Sequence, residues 1–62
     1  MMDIRYWYQY NDQEVERYLK DFIAKEKRQG NKVSVVHLAP KLGLRINTLY
    51  YLMHKYNLKN QG

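Results

Sequence analysis

The stretch "NDQEVERYLKDFIAKEKRQG", residues 11–30, constrains the fold of this chain more than any other. Val15, Tyr18, Leu19, Phe22 and Ile23 recur at i, i+3, i+4, i+7 and i+8, the single apolar stripe of an amphipathic helix. Asn11 stands where an N-cap belongs, and Glu14 three residues on completes the pattern of a capping box. Asp12, Glu14 and Glu16 crowd the positive end of the helix dipole, and Lys25, Lys27 and Arg28 the negative end. Gly30, followed by Asn31, is the stop signal. The spacing predicts a first helix over residues 12–29. A helix with one apolar stripe takes its stability from packing, so the rest of the chain must cover that stripe.

The rest of the chain is short. With 62 residues there is room for one domain, 1–62, which buries only about 60% of its unfolded surface. Domains of this size often rely on disulfides, a metal or a partner subunit. Cysteine is absent, which also fits a reducing compartment. His37 and His54 are the only histidines, too few for a four-ligand zinc site, so no metal and no cofactor are expected. Good helix packing and self-association remain, and a homodimer is the expected assembly. The longest apolar runs fall far short of the roughly 20 residues that span a bilayer. Asp3 and Arg5 interrupt "MMDIRYWYQY", so the start does not read as a signal peptide. A soluble, cytoplasmic protein without a membrane partner is expected.

Three further segments can be placed. In residues 4–10, "IRYWYQY", Ile4, Tyr6, Tyr8 and Tyr10 alternate with Arg5, Trp7 and Gln9, a period of two in strand-forming residues. This predicts a short strand or extended aromatic arm over 1–10, with a fraying helical turn as the competing reading. Ser34 is the next N-cap, and Val35, Leu38, Ala39 and Leu42 form a stripe closed by Gly43, so a second helix and its turn occupy 34–43. Pro40 falls inside it, where a helix loses a hydrogen bond. Either the helix is kinked, or it begins later, near His37, with Lys32–Val35 extended. A third helix over 45–57 takes Asn47 or Thr48 as cap, buries Leu49, Leu52, Met53 and Tyr56, and stops at Asn57. The tail "LKNQG" reads as frayed, with nothing from which to build a C-terminal wing.

Charge divides the chain. Residues 1–26 carry four cations and all six carboxylates; residues 27–62 carry seven cations and no carboxylate. A half built this way has a positive field and attracts polyanions. A solvated basic face is the plain alternative.

The segment "LAPKLGLRINTLYYLMHKY" combines these signals. A short helix, a glycine turn and a second helix with a separate polar face are the parts of a helix-turn-helix. Ala39 permits close approach, Gly43 supplies a positive φ, and Leu38, Leu42, Leu44, Leu49 and Leu52 seal the angle between the helices. Ala39, Leu42-Gly43-Leu44, Thr48-Leu49-Tyr50, Leu52 and Lys55-Tyr56 resemble the C-terminal helix-turn-helix of the Fis and enhancer-binding-protein group of bacterial regulators. The resemblance covers about 20 residues. Arg45 departs from it, standing where a capping serine is usual, and Pro40 where a helix former is usual. The link "GNKVS" is also longer than the family's. The resemblance implies an all-α trihelical domain that binds double-stranded DNA, in a bacterial, phage or plasmid setting.

On a helical wheel centred on Leu49, Asn47, Tyr50, Tyr51 and His54 gather on the far side, with Thr48 and Lys55 at its edge. A recognition helix presents such a face to the major groove. Asn47 suits adenine and Arg45 guanine. Tyr50 and Tyr51 can bond phosphates or press on a thymine methyl; His54, Lys55, Lys41 and Lys32 suit phosphate contacts. The plain counterparts are that Asn47 and Thr48 only cap, that a tyrosine packs on the aromatic arm, and that His37 and His54 are ordinary surface residues. Sequence-specific DNA binding by a small transcriptional regulator or mobile-element accessory factor is the expected function. A protein-interaction adaptor using Tyr6, Trp7, Tyr8, Tyr50 and Tyr51, or RNA binding by tyrosine stacking, are the rivals. No nucleophile–base pair, carboxylate pair or phosphate loop is present, so neither an enzyme nor a small-molecule binder is expected.

Overall fold

A computed structural model describes residues 2–58. The chain is all-helical: α1 spans Asp12–Arg28, α2 Val35–Leu42 and α3 Ile46–Lys55, preceded by 3-10 turns over Ile4–Gln9. These pack around one core of Ile4, Val15, Leu19, Val33, Val35, Leu38, Ala39, Leu42, Leu49, Leu52, Met53 and Leu58. Leu19 of α1 and Leu52 of α3 are wholly buried, so both helices turn their stripes into that core. None of the described helices is long and apolar enough to cross a membrane.

α1 follows its sequence closely. The Asn11 side chain accepts a hydrogen bond from the Glu14 backbone N–H at 2.9 Å. The Glu14 carboxylate returns to the Asn11 side-chain amide at 3.3 Å rather than to its backbone, a variant of the expected box. The helix ends at Arg28, one residue inside the expected end, with Gln29 as the C-cap. The stripe continues one turn beyond Ile23 to Glu26, a buried carboxylate that takes an ion pair from Lys41 of α2. A buried charge is tolerable only when paired, so this contact clamps the end of α1 to α2.

The three helices end alike. In each, the residue after the last turn has positive φ: Gly30 at 78°, Gly43 at 73° and Asn57 at 56°. In each, two backbone N–H groups then bond back into the helix, as at Leu44 to Ala39 (2.9 Å) and Leu58 to Met53 (2.7 Å). This is the Schellman arrangement, which satisfies carbonyls the helix leaves over and brings an apolar side chain back onto it. Leu44 and Leu58 are those side chains in α2 and α3. Leu58 is buried, so it is not part of a frayed tail; the remainder of that expectation, residues 59–62, lies outside the described residues.

Two expectations are corrected, and one choice left open in the sequence, the start of α2, is decided. The segment 4–9 is not a strand or extended arm but two 3-10 turns broken at Tyr6 (φ −109°, ψ 37°). Asp3 caps the first, its carboxylate accepting from the Arg5 N–H at 3.1 Å. A lone strand has no ladder to join here, whereas turns deliver Ile4 into the core and lay Trp7 against it. α2 does not begin near His37: all of Val35–Leu42 is helical, and Pro40 is accommodated inside it. Val36, whose carbonyl Pro40 leaves unpaired, is exposed, so water can take the missing donor's place. Ser34 and Gly43 flank α2 as caps rather than belonging to it. Finally, Asn47 and Thr48 do not cap α3; they lie in its first turn, and Arg45 is the N-cap. Tyr56, the C-cap, ends α3 short of the expected residue 57.

Candidate nucleic-acid interface

The buried side of α3 is Leu49, Leu52 and Met53, with Tyr56 half-buried at its end. The opposite side presents Asn47, Tyr50, Tyr51 and His54 to solvent, as the wheel predicts. Thr48 is half-buried at the edge, and Arg45 is exposed at the start of the helix. α2 and α3 pack on each other across Gly43, whose left-handed backbone makes the turn between them. A side chain at position 43 would be strained by that backbone and would crowd Arg5, whose Cδ lies 3.1 Å from where a Cβ would stand. The Arg5 side chain thus lies against the α2–α3 connection.

Neither α2 nor α3 has a side-chain cap. Ser34 spends its hydroxyl on His37 Nδ1, at 2.6 Å, and Arg45 has no acceptor to offer. Both helices therefore present first-turn N–H groups and the positive end of their dipole without an internal anion. α1 differs, having both a cap and acidic residues in its first turn.

The predicted cations are not equivalent. Arg45 and Lys32 are exposed and have no carboxylate partner among the described residues. Lys41 is engaged by Glu26; that hydrogen bond, reinforced by Asn31 and outweighing burial, holds the Glu26 carboxyl below its ordinary value. Lys55 lies 3.3 Å from Asp12 and over the rings of Tyr51 (5.7 Å) and Tyr56 (5.6 Å). The Tyr56 hydroxyl donates to the same Asp12 oxygen at 2.9 Å. This hydrogen bond, then the one from Lys55, keeps Asp12 more acidic than usual, and Lys55 is held more basic by Asp12 in return. Asp12 opens α1, so this trio ties the end of α3 to the start of α1.

The tyrosines also divide. Tyr51 sits 5.9 Å from the Trp7 ring, centroid to centroid, and retains half its exposure. Tyr50 has no aromatic neighbour within such range among the described residues and stays more open. The packing of one tyrosine against the N-terminal aromatics, one of the two alternatives in the sequence, is realised at Tyr51. His37 and His54 are both exposed.

Two residues of this surface have no role in the sequence reading. Val36 is 59% and Ile46 44% exposed, and they line one open groove beside Arg45 and Asn47. Ile46 lies about 60° from Leu49 on the wheel, so periodicity alone places it on the buried side. It is nonetheless in solvent, at the edge of the open groove. Comparison with family models, with characterised proteins and with solved structures returns no match.

Proposed function

We propose that this protein binds double-stranded DNA sequence-specifically, laying α3 in the major groove as a helix-turn-helix of the kind its sequence resembles. It acts as a small transcriptional regulator or mobile-element accessory factor, not as an enzyme. The observation that carries the reading is the exposed face of α3: Arg45, Asn47, Tyr50, Tyr51 and His54 together, in a half of the chain without a carboxylate. Asn47 and Arg45 have the donors and acceptors that distinguish adenine and guanine edges. Lys32 and the uncapped starts of α2 and α3 suit phosphates, which set orientation without reading sequence. Lys41 and Lys55 contribute less than their number suggests, since Glu26 and Asp12 compete for them.

A single unit of this size makes few base contacts, so a homodimer on a palindromic site is the expected form, with the two α3 helices about 34–36 Å apart. The test is fluorescence anisotropy with random duplex DNA at two salt concentrations, followed by selection of preferred sites from a randomised library. Affinity should fall steeply with salt, with a slope of about −0.9 per neutralised phosphate. An absence of duplex binding at low salt contradicts the proposal. One observation favours a second reading, the protein-interaction adaptor. Tyr6 and Tyr8 remain 45% and 63% exposed beside the Trp7–Tyr51 contact, an aromatic surface of the type enriched at interfaces. Under that reading Tyr8→Ala abolishes partner capture and DNA has no effect.

A further inference from the structure

Exposed single aliphatics are ordinary on protein surfaces. Val36 and Ile46 are different because they converge. One comes from α2 and the other from α3, yet with Pro40 and Leu44 they line one open groove of about 420 Å³. The groove's polar rim is Arg45 and Asn47, and no carboxylate lines it. An occupant must therefore offer small apolar groups set among acceptors and negative charge. A thymine edge in the major groove has that chemistry: a 5-methyl group beside the O4 acceptor, with an adenine N6–H and N7 across the pair and phosphates on either side. Ile46 and Asn47 are consecutive, so their side chains reach the duplex at adjoining places, one apolar and one with an amide.

We propose that Val36 and Ile46 form a pocket for thymine 5-methyl groups, and that this pocket, with Asn47 on adenine, gives the protein a preference for A·T pairs at the position facing the start of α3. The inference rests on the DNA-binding reading and sharpens it. It assigns base discrimination to two aliphatic residues and to a groove between helices, rather than to the polar face of α3 alone. Tyr50, one turn after Ile46, stands too far along the helix to line the groove and is not part of this pocket.

Thymine differs from uracil only by that methyl, so the test keeps hydrogen bonding and charge constant. A duplex recovered from a randomised library by the unmodified protein is resynthesised with uracil in place of each thymine in turn. Burying one methyl is worth a factor of about 4 in affinity, so at least one thymine per half-site should show a loss of that size. Ile46→Ala and Val36→Ala, at exposed positions that leave the core untouched, should bind the thymine and uracil duplexes nearly alike while keeping the salt dependence of the parent. Circular dichroism checks that both variants fold, and the uracil series on the unmodified protein needs no variant. Steep salt dependence with equal affinity for every thymine and uracil duplex, or a recovered site without thymine, overturns the methyl pocket and leaves DNA binding standing. No duplex binding at all overturns both.

Discussion

The two halves of the chain use charge in opposite ways. Residues 1–26 hold every carboxylate side chain, and four of these are already committed to cations by geometry: Asp3 to Arg5 at 2.8 Å, Glu16 to Lys20 at 3.1 Å, Asp12 to Lys55, and Glu26 to Lys41. Residues 27–58 hold cations alone, and two of those are the partners of α1's acids. The acidic half therefore does more than carry the apolar stripe. It holds α2 and α3 at both ends of α1 and lowers the number of cations left for an external polyanion. Of the four cations that remain, Lys27 and Arg28 close α1, while Arg45 and Lys32 lie near the starts of α3 and α2, where the uncapped helix ends also lie.

The comparison breaks most severely at the shared core. Leu52 of α3 and Leu19 of α1 are both fully buried. Leu52→Ala should cost about 2–5 kcal/mol, a large part of what a domain of this size has. Trp7 fluorescence reports the N-terminal turns and far-ultraviolet dichroism the helices. Both should move together in one urea transition, shifted to lower urea; separate transitions would mean that the two halves do not fold as one unit.

Next in size is the recognition surface. Arg45→Ala and Asn47→Ala should each remove about 1–3 kcal/mol of preference at one base position; affinity for random DNA should change little in Asn47→Ala but fall in Arg45→Ala, which also loses an unpaired cation. Binding curves for selected and scrambled duplexes measure this directly. Asp12→Asn is the smaller, opposite change. Released from its carboxylate, Lys55 becomes available to a phosphate, so affinity for all duplexes should rise a few-fold and the salt slope steepen by about 0.9. Lys55→Ala in the parent should weaken all sequences alike, and only slightly.

The smallest effect is in acid. The folded-state carboxyls of Glu26 and Asp12 are lowered from ordinary values of 4.5 and 3.8, so the unfolded chain binds their protons first as pH falls. Their contribution to stability is then fully present above those ordinary values and is lost as pH falls through the folded ones. Thermal melts between pH 6 and pH 3 should show this decline. It should be shallower in Glu26→Gln, which keeps a neutral acceptor for Lys41 but has no proton to take up.

Much of this architecture is legible in the sequence because it rests on local rules. The stripe of α1, its Asn11 cap and the Gly30 and Gly43 stops each need only residues a few positions apart. The same holds for the exposed face of α3, where a spacing of 3.6 residues per turn separates Asn47, Tyr50, Tyr51 and His54 from the leucines. What the sequence does not disclose depends on residues far apart in the chain. The alternation of "IRYWYQY" suits a strand, but without a neighbouring strand among the described residues the segment folds into turns that place Arg5 against Gly43 and Trp7 against Tyr51. Asp12 and Lys55, and Glu26 and Lys41, are charges that only packing brings together. Arg45 as the start of α3 follows from its extended backbone (ψ 150°), not from a capping side chain. The wheel angle of Ile46 points to burial, yet the residue is exposed, since burial depends on what packs against a helix as well as on direction.

The most direct test of the central claim is a map of which backbone amides respond to DNA. In a nitrogen-15-labelled sample titrated with a library-selected duplex at low salt, the largest shifts should fall at Arg45, Ile46, Asn47, Tyr50, Tyr51 and His54, with lesser ones near Lys32 and Ser34. Shifts confined to Tyr6, Tyr8 and the exposed side of α1, or a spectrum that DNA leaves unchanged, would contradict it.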